Sequence, residues 1–257
     1  MDCLVSYLIL DYNRPLETKL CLESIKNNSF FGYKTIFLCN GGDNQDYAID
    51  LYKQGFIDKL ILRKDNSGCG NGTVELAESC ETKYFIYVQS DQILGVKFSK
   101  ELLNNFINLM ENQKINYIDL SGNQGGGKFT ERAGILNTEF YKSIPKGEKG
   151  KFGGPGPFNN ERYVESYVQE FFQKNNIGFP SYHLFIDNGK WSIREMGDGI
   201  YKHSTDEKKL FIIKKPTYKT SVYPPLNNEE WNLVLNGDWI DGTIPEEWKN
   251  HSFKIWD

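Results

Sequence analysis

Lys64-Asp65-Asn66-Ser67-Gly68-Cys69-Gly70-Asn71-Gly72-Thr73-Val74-Glu75-Leu76-Ala77-Glu78 precedes an apolar run, Tyr84-Phe85-Ile86-Tyr87-Val88-Gln89, which ends on Ser90-Asp91-Gln92. The first stretch reads as a glycine-rich turn that opens a helix. The second reads as a strand, and the third leaves a lone carboxylate at the strand's end. In an open α/β sheet, ligands bind beyond the carboxyl ends of the strands. Asp91 therefore stands where a metal ion or a phosphate-bearing ligand would be met.

Working outward, Leu4-Val5-Ser6-Tyr7-Leu8-Ile9-Leu10 is a continuous apolar run, as expected for a strand buried on both faces. Asp11-Tyr12-Asn13-Arg14-Pro15 breaks it, and proline suits the first turn of a helix. Leu16, Leu20, Leu22 and Ile25 then recur at roughly helical spacing. A second strand is expected over 35–39, stopped by Asn40-Gly41-Gly42. A helix over about 44–54 and a third strand over 59–62 lead to the glycine turn. This alternation predicts a largely parallel sheet with helical crossovers. A helix over 99–111 and a strand over 117–120 follow.

The second half changes character. Residues 122–128 are glycine-rich, and 146–157 form a long glycine/proline loop of the kind usually tied to function. A helix is expected over 161–174, with strands over 182–186 and 191–195. The tail from Thr217 carries Trp231, Trp239, Trp248 and Trp256 and reads as irregular chain wrapped on the domain.

The net charge of −4 argues against a nucleic-acid partner, for which a basic face would be expected. Cys3, Cys21, Cys39, Cys69 and Cys80 form no CxxC pair, which argues against a zinc ribbon or a dithiol motif. Cys3 and Cys39 fall in expected strands and Cys21 on an apolar helix face. That usage suggests packed, reduced thiols and a cytoplasmic location. The short opening apolar run does not read as a signal peptide. No stretch approaches the ~20 apolar residues of a membrane span.

The order of these motifs resembles the nucleotide-sugar glycosyltransferases of the GT-A fold, family 2 above all. Four segments carry the resemblance: Tyr12-Asn13-Arg14-Pro15 after the first strand, Cys39-Asn40-Gly41-Gly42 after the second, 65–72 before the fourth strand's helix, and Ser90-Asp91-Gln92. The similarity covers 4–94 well and runs more loosely to 179. It implies an α/β, Rossmann-like, mostly parallel sheet with a smaller mixed acceptor-side region. One domain over 1–215 is expected, divided into a nucleotide-sugar half (1–95) and an acceptor half (96–215). The tail over 216–257 packs against it.

The resemblance also implies chemistry. A nucleotide diphosphate sugar would donate its sugar to a hydroxyl of a glycan or glycoconjugate, with inversion. A divalent cation, Mn2+ or Mg2+, would stabilise the diphosphate leaving group, and hard cations take carboxylate oxygen. Asp91 is the implied ligand, and His203 is similar in position to a C-terminal metal-binding histidine. The family often has two acids at the place of Ser90-Asp91-Gln92; this chain has one. Leu10, Tyr12, Arg14, Asn40, Asp65, Asn71 and Ser90 fall on the donor side. Tyr12 could stack on the base. Arg14 could approach a phosphate, or be a surface residue at a helix start. Asn40 stands where the family places a base-binding acid, and an amide can still donate and accept. Glu165 is the implied general base, with Glu161 and Asp187 as rivals.

Other classes fit less well. A non-catalytic GT-A-like protein that binds a nucleotide or glycan is the main alternative. A sugar nucleotidyltransferase would carry a basic, glycine-rich loop after the first strand, and 11–15 has none. A dinucleotide-binding dehydrogenase would place GxGxxG there.

Overall fold

The computed structural model describes residues 3–41, 45–94, 97–121, 129, 132–144, 164–175, 177, 179–182, 184–189, 209–213, 219–220 and 252–256. Strand β1 (Val5–Asp11) is buried along its whole length. Its side chains alternate between two cores. Val5, Tyr7 and Ile9 join one, while Leu8 and Leu10 join the other. A strand that must be apolar on both faces reads as an unbroken hydrophobic run, which is why the pattern in 4–10 is so plain.

Helix α1 (Pro15–Asn28) begins on its proline, and strand β2 (Ser29–Phe30) follows directly. Strand β3 (Tyr33–Cys39), helix α2 (Asp46–Lys53) and strand β4 (Lys59–Leu62) continue the alternation. Helix α3 (Gly68–Glu78) then leads to strand β5 (Tyr84–Gln89). β3 pairs with β1 in parallel on one side, and β5 pairs with β1 in parallel on the other. β4 adds to β3, also in parallel. The chain thus moves outward from β1 through β3 to β4, then crosses back to β5. The point of reversal lies between β1 and β5, and in such sheets the ligand crevice forms there.

Beyond β5 come strands β6 (Gln92–Leu94) and β7 (Phe98–Ser99), helix α4 (Lys100–Gln113), strands β8 (Tyr117–Asp119) and β9 (Gly134–Asn137), and helix α5 (Thr138–Ser143). β9 inserts antiparallel between β5 and β8. Helix α6 (Val164–Lys174) packs against α3 and buries Val168 and Phe172. Strands β10 (Pro180–Ser181), β11 (Phe185–Gly189), β12 (Lys209–Ile213), β13 (Lys219–Thr220) and β14 (Ser252–Trp256) complete the described chain. The main sheet runs β13-β10-β8-β9-β5-β1-β3-β4, and a second sheet runs β14-β12-β11-β6.

The mixed α/β architecture with a mostly parallel first half agrees with the sequence reading. Several details differ. β9 was not anticipated. The helix starts at Gly68 itself, so the glycines lie inside its first turns rather than ahead of it. The described parts of the tail, 219–220 and 252–256, are strands rather than irregular chain. Cys3 lies ahead of β1 and is half-buried, not a strand residue. The strand expected over 191–195 lies outside the described residues, and so do the four tail tryptophans except Trp256, which ends β14.

Candidate functional site at the carboxyl edge of the sheet

The end of β1 organises the edge. On one side the Asn40 amide donates to the Asp11 carbonyl at 2.8 Å. On the other the Ser90 amide donates to the Leu10 carbonyl at 3.1 Å. Residues from three separate parts of the sequence therefore meet at one rim: 10–14, 39–41 and 89–92.

Arg14 and Asp91 form an ion pair across that rim. The Asp91 side chain is 3% exposed and the Arg14 side chain 22%, so the carboxylate is enclosed and the guanidinium reaches the surface. Local backbone geometry aims Arg14 inward. Asn13 adopts φ +54°, a left-handed conformation that asparagine tolerates better than most residues. Pro15 then fixes the start of α1, and the Thr18 amide donates to the Arg14 carbonyl at 2.9 Å. Tyr12 is half exposed beside them.

Asn40 is bound to the glycine-rich segment. Its Nδ2 donates to Asn66 Oδ1 at 3.1 Å and to the Gly68 carbonyl at 2.9 Å. Its Oδ1 accepts from the Ser67 amide at 3.2 Å and the Ser67 hydroxyl at 2.8 Å. An asparagine side chain offers two donors and one carbonyl with two lone pairs. All of them are engaged in shaping the turn, so a base-reading role would require some of these bonds to open. Asn66 Oδ1 also accepts from the Gly68 amide at 2.8 Å and so steadies the start of α3. Asp65 is exposed on the same turn, while Asn71 Nδ2 donates back to the Ser67 carbonyl at 2.8 Å. Leu10 is buried beneath Gly72, whose Cβ, if present, would lie 2.6 Å from Leu10 Cδ1.

Gln92, the residue after Asp91, is bound into the interior. It is fully buried, and its Oε1 accepts from the Gln89 amide at 3.2 Å and the Ala133 amide at 3.0 Å. The amide turns inward and ties the β5–β6 turn to the segment before β9.

A buried acid escaped the sequence reading. Asp11, the last residue of β1, is 1% exposed and accepts a hydrogen bond from the Tyr47 hydroxyl of α2. Its Oδ1 has no partner among the described residues. Burial raises the Tyr47 phenol, and the neighbouring Asp11 charge raises it further. The Cys21 thiol is raised first by burial, then by the charges of Asp91 and Asp11. The signal for Asp11 was available, as one acid ending an otherwise apolar strand.

The acceptor-side candidates are only partly placed. Glu165 lies in the first turn of α6, the helix against α3. Asp187 pairs by backbone with Gln92, one residue from Asp91. Glu161 and His203 lie outside the described residues. Among the described residues, no three His, Cys, Asp or Glu side chains converge on a common point suited to a metal ion. No described helix is long and apolar enough to cross a membrane. A cleft of about 190 Å³ lies at the opposite edge, lined by Ser6, Lys34, Asp58, Lys59 and Ser79 among others. Its lysines are balanced by acids, and it sits at the amino ends of the parallel strands.

No protein-family profile and no curated sequence matches the chain. Solved structures with a similar chain trace include S. aureus TarS 1-349, at 15% identity and a TM-score of 0.47 over 64% of this chain and 55% of that one. The same protein in complex with UDP-GlcNAc aligns at 13% identity and 0.47, over 64% and 53%. The mannosyltransferase PcManGT from Pyrobaculum calidifontis, in complex with GDP-Man and Mn2+, aligns at 8% identity and 0.45, over 58% and 50%. The chain spans about half the length of these proteins. A likeness at this level is one of general architecture and transfers no activity.

Proposed function

We propose that this chain is a glycosyltransferase that moves a sugar from a nucleotide diphosphate to a hydroxyl of a glycan or glycoconjugate, with inversion. The observation that carries this reading is the rim between β1 and β5. Four sequence segments that resemble the family-2 pattern converge there, at the reversal point of a parallel sheet where ligands bind. In this reading Tyr12 stacks on the base, and the turn held by Asn40 and Asn66 forms one wall of the donor pocket.

Transfer breaks the bond between the anomeric carbon and the diphosphate oxygen, and the electron pair leaves with the nucleotide. The acceptor oxygen bonds to that carbon, and its proton passes to a carboxylate base. We assign that base to Glu165, on α6, a step worth roughly 10²- to 10⁴-fold in rate.

The family resemblance implies a divalent cation on Asp91, but the described donor set does not fit one. Asp91 is already paired with Arg14, Gln92 is committed to two backbone amides, and no cluster of three His, Cys, Asp or Glu side chains forms among the described residues. The same features favour a second reading, nucleotide binding without transfer. Release of nucleoside diphosphate separates the two.

The test is a thermal-shift panel of UDP-, GDP-, TDP- and CMP-linked sugars with and without Mn2+, on the full chain and on Asp91→Ala. A ligand at a hundred times its Kd stabilises by about 2.7 kcal/mol, which raises Tm by roughly 5–10 °C at this size. The expected result is such a shift with one nucleotide class, lost in Asp91→Ala. No shift with any donor would overturn the reading.

A further inference from the structure

We propose that Arg14 supplies the positive charge that the donor's diphosphate requires, and that the chain binds and activates its donor without a divalent cation. This rests on the glycosyltransferase reading above and adds the means by which the leaving group is neutralised.

Three observations carry it. First, the carboxylate at the end of β5 is enclosed and already paired with a guanidinium. A cation on Asp91 would compete with Arg14 for Oδ2 and would face the guanidinium charge at close range. Second, the neighbouring position cannot help a metal, because Gln92 Oε1 is bound to the Gln89 and Ala133 amides inside the protein. Third, Arg14 is placed for an anion. It sits on the rim at the sheet's reversal point, remains partly exposed, and immediately precedes α1, whose amino end faces the same edge. Positive helix ends favour anions.

The chemistry of arginine suits the task. A guanidinium stays charged at any working pH and presents a planar fork of donors that matches phosphate oxygens. When the glycosidic bond breaks, the electron pair goes to the diphosphate oxygen, and the Arg14 charge faces it. The acceptor's proton still goes to the carboxylate base. Asp91 is then a positioning residue: it holds the Arg14 guanidinium at the rim and touches no reacting atom.

Calorimetric titration of UDP and of GDP into the full chain, once in EDTA and once in excess Mn2+, tests this. The expected result is equal affinity in the two buffers. Arg14→Ala weakens binding in EDTA by roughly ten- to a hundredfold, and Arg14→Lys, which keeps the charge but not the fork, falls between. Asp91→Asn weakens binding in EDTA as well, because the fork loses its anchor. Circular dichroism and Tm of each variant separate this from unfolding. Binding that requires Mn2+ and is unchanged in Arg14→Ala overturns the inference and leaves the donor reading standing. No nucleotide binding in either buffer overturns the donor reading, and the inference with it.

Discussion

Asn40 and Ser67 are joined twice, through the Ser67 amide at 3.2 Å and its hydroxyl at 2.8 Å, both donating to Asn40 Oδ1. The Asn40 amide nitrogen meanwhile donates to Asn66 Oδ1 and the Gly68 carbonyl. The substitution Asn40→Asp keeps the acceptor and loses both donors, setting a carboxylate oxygen against two other oxygens in a buried site. The expected cost is roughly 2–4 kcal/mol at neutral pH, read from urea unfolding. Burial and the two facing oxygens disfavour the ionised form and raise the pKa of the introduced acid, and protonation restores one donor, so the deficit should shrink as pH falls and grow as pH rises.

Gly41 and Gly72 make different demands. Gly41 has φ +89°, and a Cβ there would lie 2.6 Å from the Asn66 nitrogen and 2.7 Å from the Asp65 carbonyl carbon. Both obstacles are backbone. At Gly72 the one close obstacle is the Leu10 Cδ1 methyl at 2.6 Å, the end of a side chain that can rotate; Asn40 Nδ2 at 3.4 Å and Leu10 Cδ2 at 3.5 Å are at ordinary contact distance. Gly41→Ala should therefore cost about 3 kcal/mol or more. For Gly72→Ala, overpacking of ~1–3 kcal/mol is offset by ~1 kcal/mol of helix propensity. Equal Tm losses in the two variants would contradict this placement of the turn.

The protein should lose stability in alkali. Burial raises the Cys21 thiol above its ordinary 9.0 and the Tyr7 phenol above its ordinary 10.0. Tyr47 is raised by burial and then by Asp11. A group whose folded pKa is raised binds its proton more tightly in the native state. Its contribution is complete below the unfolded value and is lost as pH rises past it. The urea midpoint should hold to about pH 8 and fall from about pH 9 upward. A flat profile to about pH 11 would contradict the buried setting of these groups.

Glu165→Gln should leave donor affinity within about twofold and lower the transfer rate by roughly 10²- to 10⁴-fold. Nucleoside diphosphate release with an acceptor panel reads the rate, and calorimetry reads the affinity. Unchanged turnover would move the role to Glu161 or Asp187.

Much of the first half was legible because its central strands, β1, β3 and β5, are buried on both faces along most of their length. β4 and β5 fall on the expected residues, and β1 runs one residue past its apolar pattern, onto Asp11. Asp11 looked like a strand end by polarity, yet its carbonyl accepts from Asn40 and keeps the ladder going. β9 was not legible. Gly134-Ile135-Leu136-Asn137 is too short to show a period, and its place follows from insertion between β5 and β8. Gly134 fits there because a Cβ would lie 2.4 Å from Tyr117 Cε2. The glycines of α3 read as a turn because glycine disfavours helix, but the approach of Gly72 to Leu10 outweighs that preference.

At the site, Asp91 stood out as a carboxylate ending a strand. Its partner did not, because Arg14 is 77 residues away and only the pairing of β1 with β5 brings them together. Tyr47 and Asp11 likewise meet only through the packing of α2. The roles of Asn66 and Gln92 lie in hydrogen bonds to backbone amides, which leave no composition signal.

The most direct test is to map where a nucleoside diphosphate binds, by amide chemical-shift changes in the isotope-labelled full chain titrated with UDP and GDP. The expected outcome is saturable change at 10–14, 40–41, 65–72 and 89–92, the rim between β1 and β5. Changes confined to Ser6, Lys34, Asp58 and Lys59 at the opposite edge, or no saturable change anywhere, would contradict the assignment of the donor site.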